Sequence, residues 1–181
     1  MRLGRWRWTI LVFGGALALS ACSSPQTPGV LTQADIPSYL GVRADPSATG
    51  SGLAVFSAPC KGAKSLTFDG SWRHLKAGPS SIPDVTSIAV SCASVSQAQR
   101  YFNTRSGGRG YPLPGVKGHS VAGIGDEAWL TDVSNTQIRD YTVGWRQDDR
   151  VMFVMVEGPS TDKRITPALA KLLARRAAAR S

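Results

Sequence analysis

The clearest pattern in the chain is a pair of apolar segments joined by a short polar turn. Ile138 to Arg146 and Val151 to Glu157 are rich in β-branched and aromatic residues, and Gln147 to Arg150 separates them. This pattern predicts a β-hairpin. The second segment begins Val-Met-Phe-Val-Met-Val, without a polar position. Both of its faces are therefore expected to be covered, as in a strand at the centre of a sheet.

Further strands are predicted on both sides of a helix. Val85 to Cys92 alternates between two faces, which places Cys92 inside, and Asp126 to Asp132 reads as a short strand. Between them, Ser94 and Gln97 have the spacing of a capping box, so a helix is expected to begin there and run to about residue 105. The residues predicted to be buried on this helix are Ala98, Tyr101 and Phe102.

Each end of the folded region is expected to carry a helix. Thr32 to Val42 predicts a short one, while Thr161 or Asp162 is a suitable N-cap for a longer closing helix. The apolar stripe expected for that closing helix consists of Ile165, Leu169, Leu172 and Leu173. The whole order of elements predicts an α+β fold, a mostly antiparallel sheet with two long helices packed on it.

The N-terminus has the three parts of an export signal. Arginines at positions 2, 5 and 7 precede the apolar stretch Trp8 to Leu19, whose 12 residues are too few to span a bilayer. Leu19-Ser20-Ala21-Cys22 resembles the lipobox of bacterial lipoproteins, which implies that Cys22 receives a diacylglyceryl group and becomes the mature N-terminus. An ordinary cysteine in a cleaved signal or an uncleaved anchor is the alternative. Two acyl chains give stable membrane attachment without a spanning helix.

This leader divides the chain into three expected parts. Residues 1–21 are the lipoprotein signal peptide, and residues 22–31 form a tether rich in Ser, Pro and Gly. Residues 32–181 form a single domain, which is long enough to bury one hydrophobic core.

The cysteines fit an exported protein. If Cys22 carries lipid, Cys60 and Cys92 are the remaining pair in a compartment that permits oxidation, and we expect them to form a disulfide. Two buried free thiols are the alternative. A bond that closes a loop with 31 intervening residues stabilises the fold by about 3 to 4 kcal/mol in the chain-entropy model.

The positive charge of the chain is concentrated at its end. The formal net charge is +9, and loss of the leader arginines leaves 18 basic and 12 acidic residues, or +6. Six basic residues and no acidic one occur from Lys163 onward, so residues 22–162 are balanced. A basic cluster on an exported domain does not predict nucleic acid as a partner. The basic edge of the last helix could contact anionic phospholipid, but cations that complement the helix C-terminus are the favoured interpretation.

Catalytic motifs are weak. Gly118-His119-Ser120-Val121-Ala122 imitates the nucleophile elbow of serine hydrolases, but no strand precedes it, no helix follows it, and no histidine occurs later in the chain. Neighbouring side chains such as His119 and Ser120 normally diverge, which also disfavours catalysis. We therefore predict no catalytic residue, no metal site and no cofactor, and keep an envelope hydrolase using Ser120 as an alternative.

Two segments are expected to contribute to binding. The loop from Ser106 to Gly118 contains five glycines and two prolines, and long irregular loops often carry function. The adjacent acids Asp126 and Glu127 either bind a cation or basic ligand or are simply solvated, the second being favoured. The side chains expected to line a ligand cleft are Tyr111, Trp129, Tyr141 and Trp145.

Short segments carry a resemblance to a known group of proteins. The opening Leu-Thr-Gln-Ala-Asp-Ile-Pro at 31–37, the cysteine pair, Gly-Ile-Gly-Asp-Glu-Ala-Trp-Leu at 123–130, the hairpin and the Ala/Leu/Arg helix occur in this order. The chain resembles small actinobacterial cell-envelope lipoproteins, and it is loosely similar to extracellular sensor domains of serine/threonine kinases and to PsbP-like folds. The resemblance implies a lipid-anchored location on the extracytoplasmic face of the membrane and a ligand-binding, sensor or accessory role. A structural subunit of an assembly or secretion complex is a further alternative.

Overall fold

One antiparallel sheet organises the described part of this computed structural model, which comprises residues 28–45, 60–69, 83–105 and 118–180. The leader with Cys22 and the expected loop after residue 105 with Tyr111 lie outside the described residues. So does the segment 53–57, whose sequence predicts a strand. The strands are β1 (Arg43–Asp45), β2 (Lys61–Asp69), β3 (Asp84–Ser91), β4 (His119–Ser120), β5 (Glu127–Asp132), β6 (Ile138–Gln147) and β7 (Arg150–Pro159).

The strand order explains the apolar hexapeptide. Within the described residues the order is β1-β2-β3-β7-β6-β5-β4, and all pairs are antiparallel. Strand β7 lies in the middle, so each of its faces meets side chains, as its composition predicts. The predicted hairpin is confirmed, with Gln147 paired to Arg150 at the turn.

Two helices are described. Helix α1 (Val95–Arg105) has 11 residues and α2 (Pro167–Ala178) has 12, which are average lengths for globular proteins. The α+β class with an antiparallel sheet is therefore confirmed. Helix α1 begins near the expected position, where the Ser94 hydroxyl accepts from the amide of Gln97 at 3.2 Å and the Gln97 side chain accepts from the amide of Ala93 at 2.7 Å.

The closing helix begins later than expected. Its N-cap is Thr166, whose hydroxyl accepts from the amide of Leu169 at 3.2 Å, and Pro167 occupies the first turn. Thr161 and Asp162 lie in the preceding turn instead. A threonine followed by proline is itself a start signal, because proline fits the first helical position, where no amide partner is needed.

Alternation along the strands produces two hydrophobic cores on opposite faces of the sheet. The first core contains Val85, Tyr141, Val143, Trp145 and Val154 together with residues of α2. The second contains Ile88, Val90, Trp129 and Phe153 together with Ala98, Tyr101 and Phe102 of α1, as expected for that helix. Side chains of strand residues that are neighbours in sequence therefore belong to different cores.

The stripe expected on the last helix is partly wrong. Leu169 and Leu173 are buried in the first core, but Leu172 is 38% exposed. Alanines at positions 170, 174 and 177 take the remaining inner positions. Each residue turns about 100° around the helix, so Leu172, one position before the buried Leu173, falls outside the buried arc.

The first described segment does not form the expected α-helix. It contains two short 3-10 turns, Gln33–Asp35 and Ser38–Leu40. Pro37 lies between them and has no amide hydrogen to donate, which interrupts a continuous helix. Val30 and Leu31 are buried in the first core, although their sequence predicts that they belong to the tether.

Cys60 and Cys92 form the expected disulfide. Both residues are buried in the second core, and the bond joins the start of β2 to the end of β3. In the described residues no helix is long and apolar enough to cross a bilayer.

Candidate functional site

A polar cavity lies where two turns of the sheet meet the end of α2. Its volume is about 430 Å³. The residues that line it are Gly123, Gly125, Asp126, Gln147, Asp148, Arg175, Ala178 and Ala179. One wall is the turn before β5, another is the β6-β7 turn, and the third is the last turn of α2. The cavity is shallow and broadly open to solvent, so a small molecule can reach its lining without a rearrangement of the core.

Asp126 joins the two turns. One of its carboxylate oxygens accepts from Nη1 of Arg146 at 2.7 Å and from the amide of Asp148 at 3.0 Å. The same guanidinium nitrogen donates to the carbonyl of Asp148 at 3.3 Å. The Asp126 side chain is 43% exposed, so this ion pair contributes little to stability. Its main effect is to hold one wall of the cavity in place.

The backbone of both turns depends on unusual conformations. Gly125 has a φ of +53°, and a Cβ at this position would lie 2.4 Å from the carbonyl oxygen of Arg146 and 2.9 Å from Cδ1 of Trp145. Asp148 has a φ of 52°, a left-handed conformation that Asp tolerates better than most residues. The cavity wall therefore requires glycine at 125 and is well served by aspartate at 148.

Arg175 supplies the positive side of the cavity. It is exposed in the last turns of α2 and lines the same space as Asp126 and Asp148. A guanidinium donates to carboxylate or phosphate oxygens, and a carboxylate accepts from amines and hydroxyls. The arrangement therefore suits a small polar ligand that carries an acidic group and a hydrogen-bond donor.

The structure does not bring the residues of the expected aromatic cleft together. Trp129 belongs to the second core, where its ring lies edge-on to Phe102 with centroids 5.4 Å apart. Tyr141 and Trp145 belong to the first core on the other face of the sheet. All three rings are buried, and Tyr111 lies outside the described residues.

His119 and Ser120 form the short edge strand β4. They pair with Leu130 and Trp129 of β5, and both are exposed. Successive side chains of a strand point to opposite faces. This geometry directs the imidazole away from the hydroxyl.

Asp126 and Glu127, singled out from the sequence, have separate roles. Asp126 lines the cavity, whereas Glu127 accepts from the side chain of Gln99 on α1 at 2.9 Å. A strand boundary between the two residues separates their side chains.

A second polar feature is a row of carboxylates at the other end of the sheet. Asp84 pairs with Glu157, and Glu157 pairs with Asp140 across β3, β7 and β6. Burial, and then the nearby charges of Glu157 and Asp132, raise the pKa of Asp140 to about 6. In the described ranges no cluster of three or more acids, histidines or cysteines is arranged to hold a metal ion.

Sequence reasoning missed Arg175 and the β6-β7 turn as parts of the site. Arg175 looks like one of several solvated cations, and Asp148 like ordinary turn chemistry. The sequence contains one local indication of this site, the pair Gly123 and Gly125 just before Asp126. Glycines are common where the backbone adopts a positive φ angle or approaches another segment closely.

Comparison with known proteins finds no family model that matches the chain, and no curated protein matches it.

Proposed function

We propose that the protein is a lipoprotein anchored through Cys22 to the extracytoplasmic face of the membrane, with a non-enzymatic role in binding a small polar ligand. The lipobox resemblance and the Cys60–Cys92 disulfide support the location, because disulfides persist in oxidising compartments. The proposed sandwich, with the two helices packed on opposite faces of the sheet, is supported by the two cores that the helices share with strands.

The cavity beside Arg175 is the observation that carries the binding role. Its lining includes one basic residue and two acidic ones, Arg175, Asp126 and Asp148, and the ion pair between Asp126 and Arg146 holds one of its walls. Its lining contains neither a histidine nor a hydroxyl or thiol nucleophile, which favours binding over covalent chemistry at this place. Sensor and accessory functions both fit a site of this kind.

The anchor is tested by labelling cells with a radioactive fatty acid. The wild-type chain is expected to take up label and fractionate with membranes, while a Cys22→Ser chain does neither. Uptake of label by Cys22→Ser contradicts the assignment of the modified residue.

Binding is tested on protein extracted gently from membranes of the producing cells. Native mass spectrometry is expected to show an additional small-molecule mass that is lost on Arg175→Gln and kept on Arg150→Gln, a change at the far end of the β6-β7 turn. An identical mass profile for the two variants excludes the cavity as the site.

The hydrolase alternative rests on Ser120 alone. A serine-reactive activity probe distinguishes it: labelling that Ser120→Ala abolishes favours an enzyme, and the proposed role requires that no such labelling occurs. The alternative of a structural subunit predicts one dominant partner after crosslinking and mass spectrometry.

A further inference from the structure

We infer that the outer face of α2 rests on an anionic phospholipid surface when the domain is anchored. This inference rests on the proposed lipid anchor and adds an orientation to it. The docking surface consists of Tyr39, Ala168, Lys171, Leu172 and Arg175. Its occupant is the headgroup layer of the membrane to which Cys22 is attached.

The length of the tether limits where the domain can lie. Cys22 and Pro28, the first described residue, are six residues apart, and an extended chain spans at most about 3.6 Å per residue, or about 20 Å here. The segment that follows, from Thr32 to Tyr39, is joined to both ends of the α2 region. The side chain of Arg180 donates to the hydroxyl of Thr32 at 3.1 Å, and that of Arg164 donates to the carbonyl of Tyr39 at 2.7 Å. The anchored end of the domain is therefore the end that carries α2.

The exposed side chains of this region have the composition of a membrane-contacting surface. Tyr39 is 57% exposed and Leu172 is 38% exposed, two of the few large apolar side chains of the described residues that face solvent. Arg175 follows Leu172 by three residues and Lys171 precedes it, so cations flank the apolar side chain. Tyrosine and leucine beside basic residues are typical of surfaces that lie at the headgroup level.

The charge of the domain is complementary to anionic lipid. All net positive charge of residues 22–181 comes from the last 19 residues, in which six basic residues occur and no acidic one. Of the acids near this helix, Asp35 and Asp162 are paired with Arg180 and Arg164, respectively. Asp126 and Asp148 line the cavity beside Arg175, and Asp126 is paired with Arg146. Lys171 and the exposed Arg175 are the cations of this surface that meet the headgroups, and each cation near such a surface contributes about a fivefold change in affinity.

The test uses the lipoprotein extracted from cells and returned to vesicles of phosphatidylcholine, with or without phosphatidylglycerol. A fluorophore is attached to Ala168→Cys on α2 or, as a control position, to Asn103→Cys on α1. Both sites are exposed. A quencher carried on lipid headgroups is expected to quench the label at 168 in anionic vesicles and to leave the label at 103 bright.

Two double variants with the same change in net charge distinguish an effect of this surface on docking from an effect of overall charge. Lys171→Gln with Arg175→Gln removes two positive charges and is expected to lower the docked-to-undocked ratio roughly 30-fold or more. Val95→Glu with Ser96→Glu changes the net charge equally on α1 and is expected to leave quenching unchanged. Equal quenching at positions 168 and 103, or an equal response to the two variant pairs, overturns the docking surface.

Different results refute the proposed lipid anchor and the proposed docking surface. A chain that carries no acyl group but floats only with anionic vesicles supports the surface and refutes the anchor. A chain that floats with both vesicle types but is not quenched at position 168 refutes the surface and leaves the anchor standing. A chain without acyl groups that floats with neither vesicle type refutes both.

Discussion

Asp35 forms an ion pair with Arg180, which joins the first 3-10 turn to the residues that follow α2. The same carboxylate accepts from the amide of Thr32 at 2.6 Å and from its hydroxyl at 3.0 Å. Asp35 is buried, and the Arg176 guanidinium donates to its carbonyl. The two ends of the described chain are thus fastened to each other around one acidic side chain.

Asp35→Ala is expected to lower the free energy of unfolding by about 3 kcal/mol, because it leaves Arg180 and the Thr32 amide without their buried partner. Chemical denaturation of the mature domain measures this. Ser38→Ala in the same segment is the control, since Ser38 is exposed, and is expected to change stability by less than about 0.5 kcal/mol. Equal effects of the two substitutions contradict the role of the ion pair.

Gly125→Ala is expected to destabilise the cavity wall more than Gly123→Ala. Both glycines have positive φ, but an added Cβ meets the Arg146 carbonyl only at position 125. Left-handed strain alone predicts a loss of about 1 kcal/mol for Gly123→Ala, and the clash predicts about 3 kcal/mol for Gly125→Ala. Thermal unfolding compares the two, and a larger loss at 123 rules out the close approach.

Asp140→Asn is expected to change how stability depends on pH. The folded chain raises the pKa of Asp140 to about 6 through burial and the charges of Glu157 and Asp132, so it binds the proton more tightly than the unfolded chain. Stability from this group is present below the ordinary pKa of about 4 and is lost as the pH rises through 6. Asn stays neutral, so the variant is expected to gain about 1 kcal/mol over wild type at pH 7, after a reduction for solvent screening.

The comparison is made by urea denaturation at pH 4 and pH 7. The gain of Asp140→Asn over wild type is expected to shrink or vanish at pH 4, where the wild-type carboxyl is protonated. A gain of the same size at both values shows that the charge of Asp140 is not its cause. Asp149→Asn, at the β6-β7 turn, is the control for a general change in net charge.

Removal of the disulfide is expected to cost about 3 to 4 kcal/mol, because the unfolded chain regains the entropy of a loop whose ends are 32 positions apart. Cys60→Ser with Cys92→Ser is compared with the reduced wild-type chain by denaturation. Reductant is expected to destabilise the wild type and to have no effect on the double variant. A loss caused by reductant in both chains points to a cause other than this bond.

Much of the fold could be predicted because the relevant patterns are local. The apolar hexapeptide predicts the central place of β7, and the alternation from Val85 predicts that Cys92 is inside, where it belongs to the second core. The burial of individual residues in the last helix is not predictable in this way, because Leu172 and Leu173 are equivalent in sequence and only the tertiary structure exposes one and buries the other.

The candidate site could be predicted only in part. Asp126 is singled out from the sequence as one of two adjacent acids, but its partner Arg146 lies 20 positions away and Arg175 belongs to another element. The aromatic residues grouped from the sequence are divided between two cores, because Trp129 pairs with Gly144 and thus alternates out of phase with Tyr141 and Trp145.

The amino-acid sequence by itself determined the α+β class, the hairpin and the cysteine pair that forms the disulfide, because periodicity, turn chemistry and cysteine number are properties of short segments. Only the tertiary structure decided that Asp35 meets Arg180, that Arg175 lines the same cavity as Asp126 and Asp148, and which face of α2 remains exposed. Those contacts join residues far apart in the chain, and strand register and helix packing fix them rather than any local preference.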